Sequence, residues 1–179
     1  MVLTLKKVNK KLKEYKNIRD LYMISFSKEE RVPYFYLKLF KNKKNIDFVA
    51  YYDNDEFIGF TYCVISSTYV FLFFLAIDPL KQSKGYGSYI LEILKNKYKD
   101  KYIFLNAQRI DSNAKNNHER IRRINFYKRN GFNETGYYLV EDIQYSILSS
   151  DNEKFKIEDY ISLMNKFYLN LYKVKVIKE

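Results

Sequence analysis

A chain of 179 residues with 47% hydrophobic and 18% aromatic content is long enough for one domain with a real core, which excludes disorder. No apolar run nears the roughly 20 residues of a membrane span; one cysteine and one histidine build neither an internal disulfide nor a metal site; and Met1 to Lys7 lacks the apolar stretch of a secretion signal, so a cytoplasmic protein with no membrane partner is expected. The net charge of +11 invites a nucleic-acid reading, but lysines dispersed over almost every helix face rank solvated surface first and a polyanionic partner last, without excluding it.

Leu3 to Val8 reads as a short first strand. From Asn9 or Lys10 to about Phe26, the residues Leu12, Tyr15, Ile18, Arg19 and Tyr22 fall near one stripe, which predicts a helix. Ser27 followed by Glu29 and Glu30 has the pattern of an N-cap with an acidic first turn. Tyr34, Leu37 and Phe40 would then form the buried stripe of a second short helix, disturbed at its start by Pro33. Asp47 to Tyr52 and Phe57 to Ile65 are strand-like, joined by the polar turn Asp53-Asn54-Asp55-Glu56. This hairpin leads into Tyr69 to Ile77, an unbroken apolar run with the length of a strand buried on both faces.

Behind that run stands Asp78-Pro79-Leu80-Lys81-Gln82-Ser83-Lys84-Gly85-Tyr86-Gly87-Ser88, followed by Ile90, Leu91, Leu94 and Tyr98 at helical spacing. Two glycines between a strand and a helix let backbone N–H groups approach a ligand with no Cβ in the way. The helix start adds unpaired donors and a positive dipole end, a combination suited to phosphate. Asp78 beside Pro79 shapes the turn. The third glycine of a dinucleotide fingerprint is missing, which argues against a Rossmann site.

Tyr102 to Leu105 reads as another buried strand; a strand-helix-strand unit of this kind makes its two strands parallel. Gln108 to Asn117 is loop-like. Glu119 to Arg129 is a helix with Ile121, Ile124 and Tyr127 or Lys128 on successive turns, ending at Asn130-Gly131. Phe132 to Leu139 and Ile143 to Leu148 close the fold as strands. Ser149 to Asn152 marks a boundary, giving a domain over 1–150 and an extension over 151–179. In the extension, Ile157, Ile161, Met164, Tyr168 and Leu171 predict an amphipathic helix, packed on the same domain or joining two subunits. Monomer and homodimer both stay open. His118 reads as a polar helix-start residue and Cys63 as a small strand filler.

Gln82-x-x-Gly85-x-Gly87 resembles the acetyl-CoA signature of the GNAT superfamily of N-acetyltransferases. Asn125-Phe126-Tyr127-Lys128-Arg129-Asn130-Gly131-Phe132 resembles that family's second landmark, a helix ending in Phe/Leu-Tyr-x-x-x-Gly-Phe, in the right order and about 40 residues on. The resemblance covers residues 3 to 148 and implies the α/β GNAT acyl-CoA N-acyltransferase fold, with a mostly antiparallel mixed sheet whose two parallel strands splay apart. It further implies acetyl-CoA as cosubstrate, a primary amine as acceptor, and direct attack of the neutral amine on the thioester. By the same resemblance, backbone amides at Leu75, Ala76 and Ile77 bind the thioester end, one of them as an oxyanion donor. Amides of Gln82, Ser83, Lys84, Gly85, Tyr86, Gly87 and Ser88 hold the pyrophosphate, and Tyr127 protonates the departing thiolate.

Two departures stand out. No carboxylate precedes Asp78 on the central strand, where many members carry a glutamate base, and Arg120 stands where many carry an asparagine. The base is therefore unassigned; Glu29, Glu30 and Gln108 are candidates for the acceptor side, beside a water relay. Acetylation of charged transfer RNA and a non-catalytic CoA-binding module remain alternatives.

Overall fold

In the computed structural model, which describes residues 2–9, 12–167 and 174–179, the chain divides into two units, Met1–Lys97 and Tyr98–Glu179. The first unit holds an antiparallel sheet whose strands are neighbours in both sequence and space: β1 (Thr4–Lys7), β2 (Ile46–Asp53), β3 (Glu56–Ile65) and β4 (Tyr69–Ile77). Its central hairpin turns at Asn54 and Asp55, both at positive φ (46° and 68°). That is the two-residue turn whose twist matches the flanking strands, and Asn and Asp tolerate it better than other side-chain-bearing residues.

Three helices cover this sheet. On one face Phe48, Ala50, Tyr52, Phe60, Tyr62 and Phe74 pack against α1 (Tyr15–Ser25) through Ile18, Leu21 and Tyr22, and against α2 (Tyr34–Phe40) through Leu37. Tyr22 is the hub: its ring meets Phe74 edge-on at 5.0 Å and Tyr34 at 5.6 Å, and its hydroxyl donates to the Val32 carbonyl at 2.7 Å. Burying an aromatic of this size contributes roughly 2–3 kcal/mol, and the satisfied hydroxyl avoids the cost of an unpaired buried polar group. Across the other face runs α3 (Tyr86–Lys97), tied to β2 at both ends: Tyr86 donates to Asp53 at 2.7 Å and Lys97 meets the buried Asp47 at 2.6 Å.

Three expectations for this half are corrected. Helix α1 starts at Tyr15, after a tight turn in which Tyr15 N–H donates to Leu12 O at 3.0 Å. Ser27 does not cap α2. It opens an isolated turn in which the Glu30 carboxylate accepts from the Ser27 N–H at 3.0 Å, because Pro33 keeps the chain extended until Tyr34. And Phe40 is only half-buried; the inward positions of α2 are Tyr34 and Leu37.

The second unit is also sheet and helix, with strand order β5 (Tyr102–Gln108), β7 (Gln144–Ser149), β6 (Asn133–Val140), β8 (Lys175–Lys178), each neighbouring pair antiparallel. Helix α4 (Asn117–Arg129) ends as the sequence predicts. Gly131 takes φ 78°, its N–H donates to Lys128 O, and Phe132 N–H reaches back to Tyr127 O, both at 3.0 Å. This is the double hydrogen bond of a Schellman end. Its buried stripe is Arg120, Ile124 and Tyr127, whereas Ile121 is 36% exposed. Strand β5 runs three residues past the expected Leu105, carried on by its pairing with β7 through Gln108.

Helix α5 (Ile157–Phe167) lays Tyr160, Leu163 and Met164 inward, not a stripe centred on Ile157 and Ile161. Tyr160 decides this: its ring lies 5.7 Å from Phe104 and its hydroxyl accepts from Asn106 at 2.9 Å, while Tyr102 donates to Asp159. Tyr168 and Leu171 lie outside the described residues. Strand β8 was not expected at all. It pairs with β6 beyond a wide bulge at Thr135–Tyr137, where Gly136 sits at φ 77° and its carbonyl accepts from Glu179 N–H at 2.8 Å.

Candidate active site

Strand β4 changes character halfway. Tyr69 to Leu72 are buried without alternation, as an all-apolar run predicts; from Phe73 to Ile77 odd residues are half-exposed and even ones buried. The switch coincides with a bulge. Tyr62 faces Phe74 and Cys63 faces Leu72, so Phe73 is the extra residue of the bulge. Past the bulge the register is regular, with Thr61, Phe60 and Gly59 opposite Leu75, Ala76 and Ile77. Asp78 N–H donates to Ile58 O at 2.8 Å. Antiparallel ladders alternate, so Ala76 also turns its N–H toward β3, and the N–H groups of Leu75 and Ile77 point toward the opposite edge of β4. Of the three amides expected at a thioester, Ala76 is thus committed to the sheet.

Gly59 is a position that sequence reasoning missed, although a glycine inside a strand is itself a signal of close backbone approach. A Cβ there would lie 2.2 Å from the Ala76 carbonyl oxygen and 3.1 Å from Ile77 Cα, both backbone atoms that cannot rotate away. Gly59→Ala is therefore expected to force β3 off β4 and to cost about 3 kcal/mol. Urea unfolding of the purified variant reads this directly, and an unchanged midpoint would show that the strands part without penalty.

The turn after β4 is braced at each step. Asp78 accepts from Leu80 N–H at 2.9 Å, capping one tight 3-10 turn over Pro79–Lys81. Gln82 donates its side-chain amide to Ile77 O at 3.2 Å and its backbone N–H to Pro79 O at 3.4 Å. Gln82 therefore serves the turn, and its own N–H is not open to a ligand. Ser83 and Gly85 then take positive φ (62° and 84°), curling the chain into the start of α3, whose first backbone bond is Tyr89 N–H to Gly85 O at 3.1 Å. Among the described residues, no acceptor is found for the N–H groups of residues 83–88. Six successive donors at the positive end of a 12-residue helix make an anion cradle. Its orientation is set by the Tyr86–Asp53 and Lys97–Asp47 ties. The hydrogen bond to Asp53 also raises the Tyr86 phenol above its ordinary pKa. Lys81 is paired with Glu56 and is raised by that hydrogen bond, while Lys84 is exposed.

In the second unit, Tyr127 lies in the last turns of α4, 9% exposed, with its ring 5.2 Å from Phe126 and 6.1 Å edge-on to Phe132. Gln108, buried at the end of β5, has its side-chain carbonyl occupied: it accepts from Asn116 at 3.0 Å, whose own carbonyl accepts from Arg120 at 2.9 Å, while Arg120 also donates to Arg109 O at 3.0 Å. This chain of bonds satisfies the buried guanidinium and positions the start of α4 on β5. It leaves Gln108 bracing the strand end. Glu29 is exposed, and a hydrogen bond from its own backbone amide holds its carboxyl below the ordinary range, opposite to what a general base near neutral pH requires. Glu30 is engaged by Ser27 N–H. Cys63 is fully buried, and burial pushes its thiol well up, which removes it as a nucleophile. Among the described residues no group of His, Cys, Asp or Glu gathers to hold a metal ion, and no helix is long and apolar enough to cross a membrane.

A family model described as an acetyltransferase (GNAT) domain matches residues 44–134. That span takes in the hairpin, the bulged strand, the amide cradle and α4. Among curated proteins no sequence match is found. Among solved structures, a GNAT-family protein from Bacteroides thetaiotaomicron is 26% identical with a TM-score of 0.74, covering 96% of this chain and 99% of that one. An aminoglycoside 6'-N-acetyltransferase complexed with coenzyme A is 15% identical, TM-score 0.61, covering 82% and 95%. A spermidine N-acetyltransferase from Vibrio cholerae, a point mutant, is 14% identical, TM-score 0.59, covering 82% and 92%. The last two likenesses speak to the fold alone.

Proposed function

We propose, from the premise that this chain belongs to the GNAT acetyltransferase family, that it acetylates a primary amine by direct attack on acetyl-CoA. Its α/β architecture is the GNAT acyltransferase fold, and it is an acetyl-CoA-dependent acetyltransferase. The proposal proper concerns the acceptor and the residues. The observation that carries it is the row of six amides over residues 83–88 for which no acceptor is found among the described residues, which fits a pyrophosphate. In this reading Ser83 to Ser88 hold the pyrophosphate through backbone N–H groups, with Lys84 supplying charge from the exposed side. Leu75 and Ile77 are the amides available to the thioester end, because Ala76 is spent on β3. Tyr127 holds the proton that the departing sulfur takes. Bound acetyl-CoA supplies the activated acyl carbonyl; the chain's part is to orient it and exclude competing groups. Residues 1–150 carry this machinery and 151–179 form an extension to it.

The structural neighbours differ in acceptor, an aminoglycoside in one and spermidine in another, so the acceptor class is open to a direct screen. With acetyl-CoA, free-thiol release should rise above the no-acceptor rate for at least one of a set of polyamines, aminoglycosides, peptide N-termini and aminoacylated transfer RNA. Coenzyme A binding with no thiol release across the whole set would instead make this a non-catalytic CoA-binding module.

A further inference from the structure

Helix α2 is apolar on the side that faces away from the sheet. Tyr34 and Leu37 point inward, and the opposite positions are Phe35 (58% exposed), Tyr36 (38%) and Leu39 (66%), with the half-buried Phe40 beside them. A surface helix ordinarily puts polar residues there, and a helix that is apolar all round is normally covered by something. The rings form a continuous strip, with Phe35 and Tyr36 4.2 Å apart between centroids and Tyr36 stacked on Phe40 at 6.3 Å. The helix and the loop that follows it carry charge of one sign. Residues 31–46 carry Arg31, Lys38, Lys41, Lys43 and Lys44 and no carboxylate. Lys38, Lys43 and Lys44 are exposed, Lys43 lying 4.4 Å above the Phe40 ring, while Lys41 turns inward over Tyr15.

We propose that this face of α2 docks on an anionic lipid bilayer, Phe35, Tyr36 and Leu39 entering the interface while Lys38, Lys43 and Lys44 meet the headgroups. Charge excludes a second copy as the occupant: a two-fold contact would set these lysines against themselves with no acid in the segment to neutralise them. Base stacking is disfavoured because the rings of Tyr36 and Phe40 are turned on each other and Lys43 covers Phe40, and because Leu39, the most exposed residue of the strip, offers no ring. A bilayer needs no shape-matched groove to receive a protruding apolar helix, and it combines the two signals, apolar insertion and basic contacts, that reversible surface binding requires. Docking of this kind is compatible with the absence of a membrane-spanning helix among the described residues.

The test is cosedimentation of the full chain with phosphatidylcholine vesicles, pure or containing roughly one-third phosphatidylserine. The chain should sediment with the mixed vesicles and stay in solution with the pure ones. The double variant Phe35→Ser with Leu39→Ser should weaken binding about tenfold or more, and Lys43→Gln with Lys44→Gln about thirtyfold. Both pairs are exposed, so melting temperature and coenzyme A affinity should stay at the parental values, which separates loss of docking from misfolding. Failure to sediment with the mixed vesicles overturns the proposal, as does binding that survives loss of Phe35 and Leu39. It is equally overturned if an RNA oligonucleotide binds in place of vesicles and the same variants abolish that. A solution dimer that the Phe35/Leu39 variant dissolves would assign the face to a second copy and end the proposal too.

Discussion

Tyr127→Phe is expected to lower turnover by about 100- to 10,000-fold, the range in which a positioned general acid ordinarily contributes. A thiol with an ordinary pKa near 8.5 leaves more readily if its sulfur takes a proton as the bond breaks, and the tyrosine hydroxyl is a donor suited to that step. The substitution keeps the ring and backbone contacts that hold the residue. Its ring packs beside Phe126 and edge-on to Phe132, and its backbone carbonyl accepts the Phe132 N–H that closes α4. Phenylalanine keeps all of these. The coenzyme A dissociation constant and the melting temperature should therefore change little while kcat collapses. A variant with parental kcat would mean that water protonates the sulfur or that it leaves as thiolate, and a variant that loses coenzyme A affinity would make Tyr127 a binding residue.

Gly87→Val is expected to abolish measurable coenzyme A binding, a loss of more than about a hundredfold, by placing two methyl groups over donors meant for a phosphate. The neighbouring glycine supplies the contrast. Gly85 sits at φ 84°, a conformation that L side chains avoid, so its identity is explained by the backbone with no ligand needed, and a Cβ there meets nothing within 4 Å. Gly87 is inside the first turn of α3 and is not among the positive-φ glycines. No backbone dihedral asks for glycine, and in a helix glycine costs up to about 1 kcal/mol relative to alanine. The proposed pyrophosphate contact would account for its missing side chain. Valine at this position should leave the fold at parental stability or slightly above, while calorimetric titration with coenzyme A shows no heat of binding. Retained micromolar affinity would remove the amide cradle from the proposed site. Gly85→Ala, strained but unobstructed, should lose stability before it loses affinity.

Much of the fold could be read from short stretches because its signals are local. The Asn54-Asp55 turn carries two residues that tolerate positive φ and so announces the hairpin. Gly131 and Phe132 end α4 through bonds to residues three and five places earlier, respectively. The apolar run from Tyr69 to Ile77 has the composition of an interior strand, and the Gln82–Ser88 spacing marks the cradle. Other features were hidden because the deciding contact is distant. Ser27 and Glu30 have a capping pattern, but Pro33 postpones the helix it would cap. Ile121 and Arg120 are adjacent, and hydropathy favours Ile121; Arg120 is the buried one because Asn116 and the Arg109 carbonyl, brought together where β5 meets α4, satisfy its guanidinium.

What the amino-acid sequence by itself determined is the order of the main strands and helices through α5, the Asn54-Asp55 turn, the glycine-marked start of α3 and the family to which its landmarks belong. Each follows from dihedral preferences and spacing within a dozen residues. Tertiary structure alone decided which amides stay open and which are consumed. Ala76 is spent on β3 by the register of the sheet, Gln82 is spent on its own turn, and Gly59 is required by an oxygen on the neighbouring strand. Tertiary structure also turned the apolar strip of α2 outward, since Tyr34 and Leu37 reach the Tyr22 cluster first. It placed β8 beside β6 as well, a pairing that a four-residue strand with two lysines does not reveal. In each case the deciding partner lies far along the chain, and a hydrogen-bonding group or an apolar face can be assigned only when everything competing for it is in place.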